Sequence, residues 1–295
     1  MKPAAFEYRV PDTLEETLDL LVEHEGDAKI LAGGQSLIPS MNFRVLQPTM
    51  LIDINRIPEL DTIQNTDQGG VMIGAMARQA SLEHDIIIAE RMPLLHETLP
   101  NIAHPQIRNR GTIGGSLVHA DPSSELPVYA IARQARMGVR NSSTQRWIDA
   151  ADFFLGMFTT ALNPDEMLVE IELPPLPEGA GWSFQEMARR KGDYALMGLA
   201  AMLVMDSSGV CQDARLVYLN AGDGPMRAPE AEQLLIGEKP GTAVIESAAS
   251  MAAEKEIDPF GSVHATVDFQ RHLAHILTRR ALKTAHERAQ NGKQD

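Results

Sequence analysis

Two doubled glycines constrain this chain more than any other feature. One lies in Leu31-Ala32-Gly33-Gly34-Gln35-Ser36-Leu37, the other in Arg110-Gly111-Thr112-Ile113-Gly114-Gly115-Ser116-Leu117. Paired glycines can take φ > 0 and turn successive amide N–H groups into one hollow, which holds a phosphate without lysine. Gln35, Ser36, Thr112 and Ser116 add amide and hydroxyl donors. Two such bends could clasp the two phosphates of a dinucleotide from both sides. A lone Gly-Gly pair is more often a plain tight turn. Two pairs, each in a strand-to-loop setting, weaken that reading without removing it, so the bends by themselves indicate an anionic-ligand site. No G-x-G-x-x-G follows the first strand and no Gly-Lys-Ser/Thr occurs, so neither a Rossmann site nor a P-loop is indicated.

The first bend sits inside a small β-α-β unit. Phe6, Tyr8 and Val10 alternate as in a half-buried strand. Thr13 and Glu16 have capping-box spacing, with Leu14, Leu18, Leu21 and Val22 on one helical face and Glu25-Gly26 as the stop. Lys29 to Ala32 and Met50 to Ile54 read as strands. A second unit has a strand at Val71 to Ala75, helix-like stretches from Ser81 to Ala89 and Met92 to Ala103, and a closing strand at Leu168 to Leu173. Between them runs Ile102 to Pro127, a long irregular stretch of the kind that carries function. Pro174-Pro175-Leu176-Pro177-Glu178-Gly179 is a stiff linker. Beyond it, strands are expected at Gly198 to Met205 and Ala214 to Asn220, then helices at Ala231 to Ile236, Ala243 to Ala253 and Phe269 to Arg288. The expected fold is α+β in three units, residues 1–57, 58–175 and 176–295, the last a small antiparallel sheet with helices.

Composition narrows the chemistry. The 295 residues carry a net charge of -14, which disfavours nucleic acid and anionic membrane surfaces. The single cysteine, Cys211, rules out an internal disulfide or a thiolate cluster and reads as a small buried hydrophobe. No apolar leader and no membrane-length apolar run is visible, so a cytoplasmic protein is expected. His104 and His119 lack metal-ligand spacing to any carboxylate pair, and no catalytic acid, base or nucleophile constellation appears.

Two loops near the second bend can hold a ligand. Asp121 and Glu125 could accept from ribose hydroxyls or ring N–H groups, although Asp121 equally suits a helix cap ahead of Pro122-Ser123-Ser124-Glu125. Arg189-Arg190-Lys191-Gly192-Asp193-Tyr194-Ala195 joins two strand-like segments. Its tyrosine could lie on an aromatic ring or simply cap a hairpin.

Together these segments resemble the FAD-binding medium subunit of xanthine dehydrogenase and carbon monoxide dehydrogenase-type molybdenum hydroxylases. The matching stretches are Ala32 to Leu37, Ile107 to Ser116, Ala120-Asp121-Pro122 through Glu125-Leu126-Pro127, Lys191 to Ala195, and His264-Ala265-Thr266 to Arg279-Arg280-Ala281-Leu282. The resemblance spans essentially the whole chain, and it is the combination that is specific. It implies that Ala32, Gly33, Gly34, Gln35, Ser36 and Leu37 hold an FAD pyrophosphate together with Gly111, Thr112, Gly114, Gly115 and Ser116. It implies Ile102 and Ala103 along the flavin or its linker, Leu168 packed beside it, and Ala120, Asp121 and Glu125 nearby. Lys191, Asp193 and Tyr194 would border the isoalloxazine ring. Ser116 stands where the family often has asparagine, which leaves its own FAD contact open.

The resemblance further implies an electron relay with no catalytic residue or metal of its own. A large subunit would carry the molybdenum-pterin cofactor, a small one the [2Fe–2S] clusters, in a dimer of heterotrimers, and FAD here would pass electrons to an external acceptor. The lone cysteine agrees, since clusters would need a partner's thiolates. The substrates of such a complex would be nitrogen heterocycles or related ketones and aldehydes. The competing readings are a stand-alone FAD oxidase or dehydrogenase and a non-enzymatic nucleotide-binding module.

Overall fold

The computed structural model describes residues 1–24 and 26–291 and builds three main sheets in chain order. The first is parallel, with Met50–Asp53 between Glu7–Arg9 and Ala28–Leu31. The helix Leu14–Glu23 covers it with Leu14, Leu18 and Leu21 buried. Thr13 Oγ1 accepts from Glu16 N at 3.2 Å, and the Glu16 carboxylate reaches back to Asp12 N at 2.9 Å, one residue earlier than a strict capping box. Two expectations are corrected. Val22 is 46% exposed, off the buried face. The first strand is exposed throughout because it is the sheet edge. Of the expected stop, Glu25 lies outside the described residues, and the helix is closed by His24 N donating to Leu20 O.

The second sheet is antiparallel, in the order Ile63–Asn65, Val71–Gly74, Met167–Leu173, Arg136–Arg140, Gln145–Asp149. The helical stretch before the second bend is broken into Gln79–His84, Ile86–Arg91 and Pro93–Thr98. Asp85 restarts it by accepting from Ile87 N and Ile88 N at 2.8 and 3.2 Å, and Pro93 restarts it again at a first helical position. The run Ile102 to Pro127 is not irregular. It holds the helices Pro105–Arg108 and Ile113–His119 and the start of Glu125–Ala132. Its glycines had hidden the second of these helices.

The third sheet is an antiparallel meander of Ala180–Ala188, Ala195–Met205, Cys211–Leu219 and Met226–Arg227. Its two faces enter different cores. Phe184, Ala200, Met202, Val217 and Leu219 pack with the second sheet, while Met197, Leu199, Ala201 and Leu203 pack under the C-terminal helices. The 25-residue helix Val267–Asn291 lies along it, so close that a side chain on Gly181 would strike the Ala285 carbonyl. Cys211 is buried as expected, and burial pushes its thiol up to about 11.

The linker is tied from within. Arg133, 2% exposed, donates from Nη2 to Pro174 O at 2.6 Å, and its Nη1 lies 3.6 Å from Met202 Sδ on the third sheet. Arg133→Ala would leave that carbonyl without its donor and open a cavity between the two sheets. It is expected to cost about 3 kcal/mol, read as a lowered urea midpoint.

Candidate functional site: a cleft where the glycine bends meet

The two bends, about eighty positions apart in sequence, touch. A Cβ built on Gly33 would sit 2.5 Å from Arg110 O and 2.8 Å from Gly111 Cα, so only a bare backbone fits there. A Cβ on Gly115 would lie 3.7 Å from that of Ala32. In the first bend Gly34 takes φ +72° and the Gln35 amide folds back onto Gly33 O at 3.1 Å. The successive amides of Gly33, Gly34, Gln35, Ser36 and Leu37 donate to no acceptor among the described residues. This is a row of backbone donors suited to an anion.

The second bend is built differently. Thr112 Oγ1 accepts from Gly115 N at 3.0 Å, and Gly114 N donates to Ala75 O at 2.9 Å. Gly114 also seats the helix Ile113–His119 on the second sheet, since a Cβ there would fall 2.6 Å from both Cβ and O of Ala75. Its amides largely hold the bend itself, and the open donors belong to the first bend. Side chains clamp the two together. Arg78 donates to Arg110 O and to Asn55 Oδ1, and Asn55 Nδ2 donates to Ala32 O at 3.0 Å. Tyr8 donates to Asp53. Burial raises the Asp53 carboxyl, but the hydrogen bonds from Tyr8 and Asn55 prevail and hold it below the usual carboxylate range.

The wall beside Ile102 and Ala103 is set by Arg108. Its guanidinium, in a side chain 8% exposed, grips Glu83 at 2.7 and 3.1 Å and donates to Ile102 O at 2.8 Å and Ala103 O at 3.3 Å. Gly192 brings the third loop against this wall, where any side chain would strike the His104 ring and Ala103 O. In that loop Arg189 holds Asp193 at 2.9 Å, and Asp193 Oδ1 accepts from Tyr194 N at 3.0 Å. The hydrogen bond from Arg189 keeps the Asp193 carboxyl below its ordinary value. Lys191 and Tyr194 stand exposed, Tyr194 at 73%.

The segment after the Ile113–His119 helix completes the cleft. Ala120 turns it with φ +49°. Asp121 Oδ1 accepts from Ser123 N at 2.9 Å, making a local turn, and the cap position of the Glu125–Ala132 helix belongs to Ser124. Ser116 Oγ lies 3.0 Å from Ser124 Oγ. Asn220, just past the strand Cys211–Leu219, donates its backbone N–H to Pro122 O at 2.7 Å and its side chain to Ala195 O at 2.8 Å, joining this segment to the residue after Tyr194. Glu125 is 8% exposed, and burial, with Asp121 adding to it, pushes its carboxyl up to about 7. Burial, then the Asp121 and Glu125 carboxyls, raises the Tyr194 phenol. Leu168 is 3% exposed on the strand Met167–Leu173, which packs against the Ile113–His119 helix. His119 tilts against Phe158 with ring centres 5.1 Å apart, and burial lowers its imidazole. No group of metal-ligating side chains is found among the described residues.

Sequence reasoning missed Asn55, Arg78 and Asn220, which tie the site's segments together. They act through contacts between distant segments, which no local spacing signals. Arg108 stood inside a quoted motif, and its position between proline and glycine was the only available sign.

Comparison with known proteins agrees with this architecture. Residues 4–176 match the family described as the FAD binding domain in molybdopterin dehydrogenase, and residues 182–285 match the CO dehydrogenase flavoprotein C-terminal domain. The 6-hydroxypseudooxynicotine dehydrogenase complex subunit alpha of Paenarthrobacter nicotinovorans is 41% identical over 294 residues, covering 100% of this chain and 99% of the relative. Carbon monoxide dehydrogenase from Hydrogenophaga pseudoflava superposes with a TM-score of 0.94 at 38% identity, covering 98% of this chain and 99% of that one. Quinoline 2-oxidoreductase from Pseudomonas putida 86 gives 0.92 at 36% identity, with coverages of 98% and 99%. No helix among the described residues is long and apolar enough to cross a membrane. The bare-backbone cradle at Gly33 and the open amides beside it fit an FAD pyrophosphate. This chain belongs to the FAD-binding medium subunits of carbon monoxide dehydrogenase and xanthine dehydrogenase-type molybdenum hydroxylases, and is an oxidoreductase component.

Proposed function

We propose that this chain relays electrons within a heterotrimeric molybdenum hydroxylase, taking them from [2Fe–2S] clusters of a small partner subunit and passing them to an external acceptor. A large partner would hold the molybdenum-pterin cofactor, in a cytoplasmic dimer of heterotrimers. The contact between Gly33 and the Arg110-Gly111 backbone supports this reading, because it brings the two bends together. Bound FAD would supply uptake of single electrons and storage of two for release to the acceptor. The chain's own residues would bind and orient it. Ala32 to Leu37 offer the amide row, and Gly111, Thr112, Gly114, Gly115 and Ser116 close the other side. Ile102 and Ala103 form a wall, Ala120, Asp121 and Glu125 supply acceptors, and Lys191, Asp193 and Tyr194 border the ring. Residues 1–57 and 58–175 would be the two FAD-binding parts and 176–295 the third unit. Relatives named for dehydrogenation or hydroxylation of 6-hydroxypseudooxynicotine, caffeine and nicotine support a nitrogen heterocycle as the complex's substrate.

The test is reconstitution. The chain alone should take up stoichiometric FAD, and substrate should reduce that flavin only when both partner subunits are added. Substrate oxidation by the chain alone would establish a stand-alone oxidase, and failure to take up FAD would end the reading. Tyr194→Ala should retain FAD, since ring stacking contributes about 0.5–1.5 kcal/mol, but change the rate of flavin reoxidation. An unchanged rate with every acceptor removes the tyrosine's role.

A further inference from the structure

Gln79 is a buried amide packed on the second bend, and its oxygen is unused. It opens the helix Gln79–His84 and is 4% exposed. Its Oε1 is buried and accepts no hydrogen bond among the described residues. Its backbone N–H donates to Gly111 O at 2.9 Å. Its side chain packs on the same glycine. A Cβ built on Gly111 would fall 2.6 Å from Gln79 Oε1 and 3.0 Å from its Cδ, with Ile107 O next at 3.1 Å. The first bend meets Gly111 elsewhere, since a Cβ on Gly33 would sit 2.8 Å from Gly111 Cα.

The hydrogen bonds nearby leave this packing contact a task of its own. Arg78 holds Arg110 O, Gln79 N holds Gly111 O, and Ala77 O accepts from Ile113 N at 3.0 Å. All three fix backbone polar groups. The α carbon of Gly111 is placed by packing, with the Gln79 side chain at one contact and the first bend at another. A buried oxygen without a donor lowers stability, and an apolar side chain of similar volume would not carry that cost. Gln79 therefore acts here through its size. Shortening it would leave a void beside Gly111, and the walls of such a void partly relax into it.

We propose that Gln79 is a positioning residue for the cofactor, a strut that seats Gly111 against Gly33 and so sets the spacing of the two bends on the diphosphate. The proposal rests on the FAD reading above. Gln79 itself does not touch the cofactor. It acts through Gly111, whose missing side chain leaves room for the strut on one flank and for the bare backbone of Gly33 on another.

Flavin fluorescence titration and urea denaturation of the full chain test it. Gln79→Ala should bind FAD about tenfold more weakly, because the second bend can settle away from the first. Gln79→Met keeps the volume without the unpaired oxygen. It should restore wild-type affinity and raise the urea midpoint above that of wild type. Gln79→Val, intermediate in size, should fall between the two and serves if Gln79→Ala does not fold. The sharpest measurement is a double-mutant cycle with Gly33→Ala, whose methyl drives the first bend into Gly111. Slack behind Gly111 should make room for that methyl. Gly33→Ala should therefore lose less affinity, and less of its urea midpoint, in the Gln79→Ala background than in wild type. A side chain that merely supports the fold would make the double variant at least additively worse. Wild-type FAD affinity in folded Gln79→Ala, Gln79→Met binding as weakly as Gln79→Ala, or an additive cycle overturns the proposal. A wild-type chain that takes up no FAD instead overturns the FAD reading, and the urea cycle on the cofactor-free chain still decides whether Gln79 sets the spacing of the bends.

Discussion

Gly33→Ala is expected to yield a folded protein that purifies without its flavin. The added methyl carbon would fall 2.5 Å from Arg110 O and 2.8 Å from Gly111 Cα, and both are backbone atoms that no rotamer change can move. The second bend cannot retreat easily, since Ile113 N is bonded to Ala77 O at 3.0 Å and Gly114 N to Ala75 O at 2.9 Å. The bends must part, and the amide row loses its register with the other side of the cleft. Overpacking of this kind costs about 1–3 kcal/mol in stability. The loss in FAD affinity should be larger, about 100-fold or more, equivalent to about 2.7 kcal/mol. Flavin fluorescence titration measures it, with Gly209→Ala as control. Gly209 takes a positive φ, +81°, which Gly33 does not, and it has nothing within 4 Å and lies on a distant turn. Its substitution should cost stability alone. Wild-type FAD affinity in folded Gly33→Ala protein would show that the bends do not share one ligand.

Arg108→Met should be the most destabilising single change near the cleft. Arg108 joins the Glu83 carboxylate to the carbonyls of Ile102 and Ala103, and the two side chains are 8% and 16% exposed. Methionine keeps the volume of the stem but strands a buried carboxylate and two acceptors. The expected cost is about 3–5 kcal/mol, the range for breaking a buried pair from one side. Glu83→Gln added to Arg108→Met should recover part of it, because a neutral amide tolerates burial better. Chemical denaturation of the cofactor-free chain measures both. A loss below about 1 kcal/mol for Arg108→Met would mean that the wall at Ile102 and Ala103 holds without its guanidinium.

Local chemistry was legible in the sequence and distant contact was not. The Thr13 cap, the strands at Met50 and Leu168 and the stiff run at Pro174 follow from side-chain type and period, which act over a few residues. The Ile113–His119 helix escaped because Gly114 and Gly115 are poor helix formers. Ala75 leaves no room for a larger residue at Gly114, and Thr112 Oγ1 crowds Gly115, a fact of packing that propensity does not carry. The strand Ala180–Ala188 was missed because it follows the prolines closely and its partner strand supplies most of its definition. In the site, the glycines declared themselves, whereas the clamp formed by Asn55, Arg78 and Arg110 exists only once the first two sheets meet.

Three residues with side chains, Ala103, Ala120 and Phe158, take left-handed φ values of 41°, 49° and 54° around the cleft. Glycine would adopt each corner more cheaply, and such corners cost about 1 kcal/mol or more apiece when the residue bears a Cβ. The fold therefore sets them in advance, through Arg108 at the first and through the bond from Phe158 N to Ala120 O at the other two. A vessel whose rim is already bent asks little reshaping of whatever enters it, so holo and empty forms should differ more in stiffness than in outline.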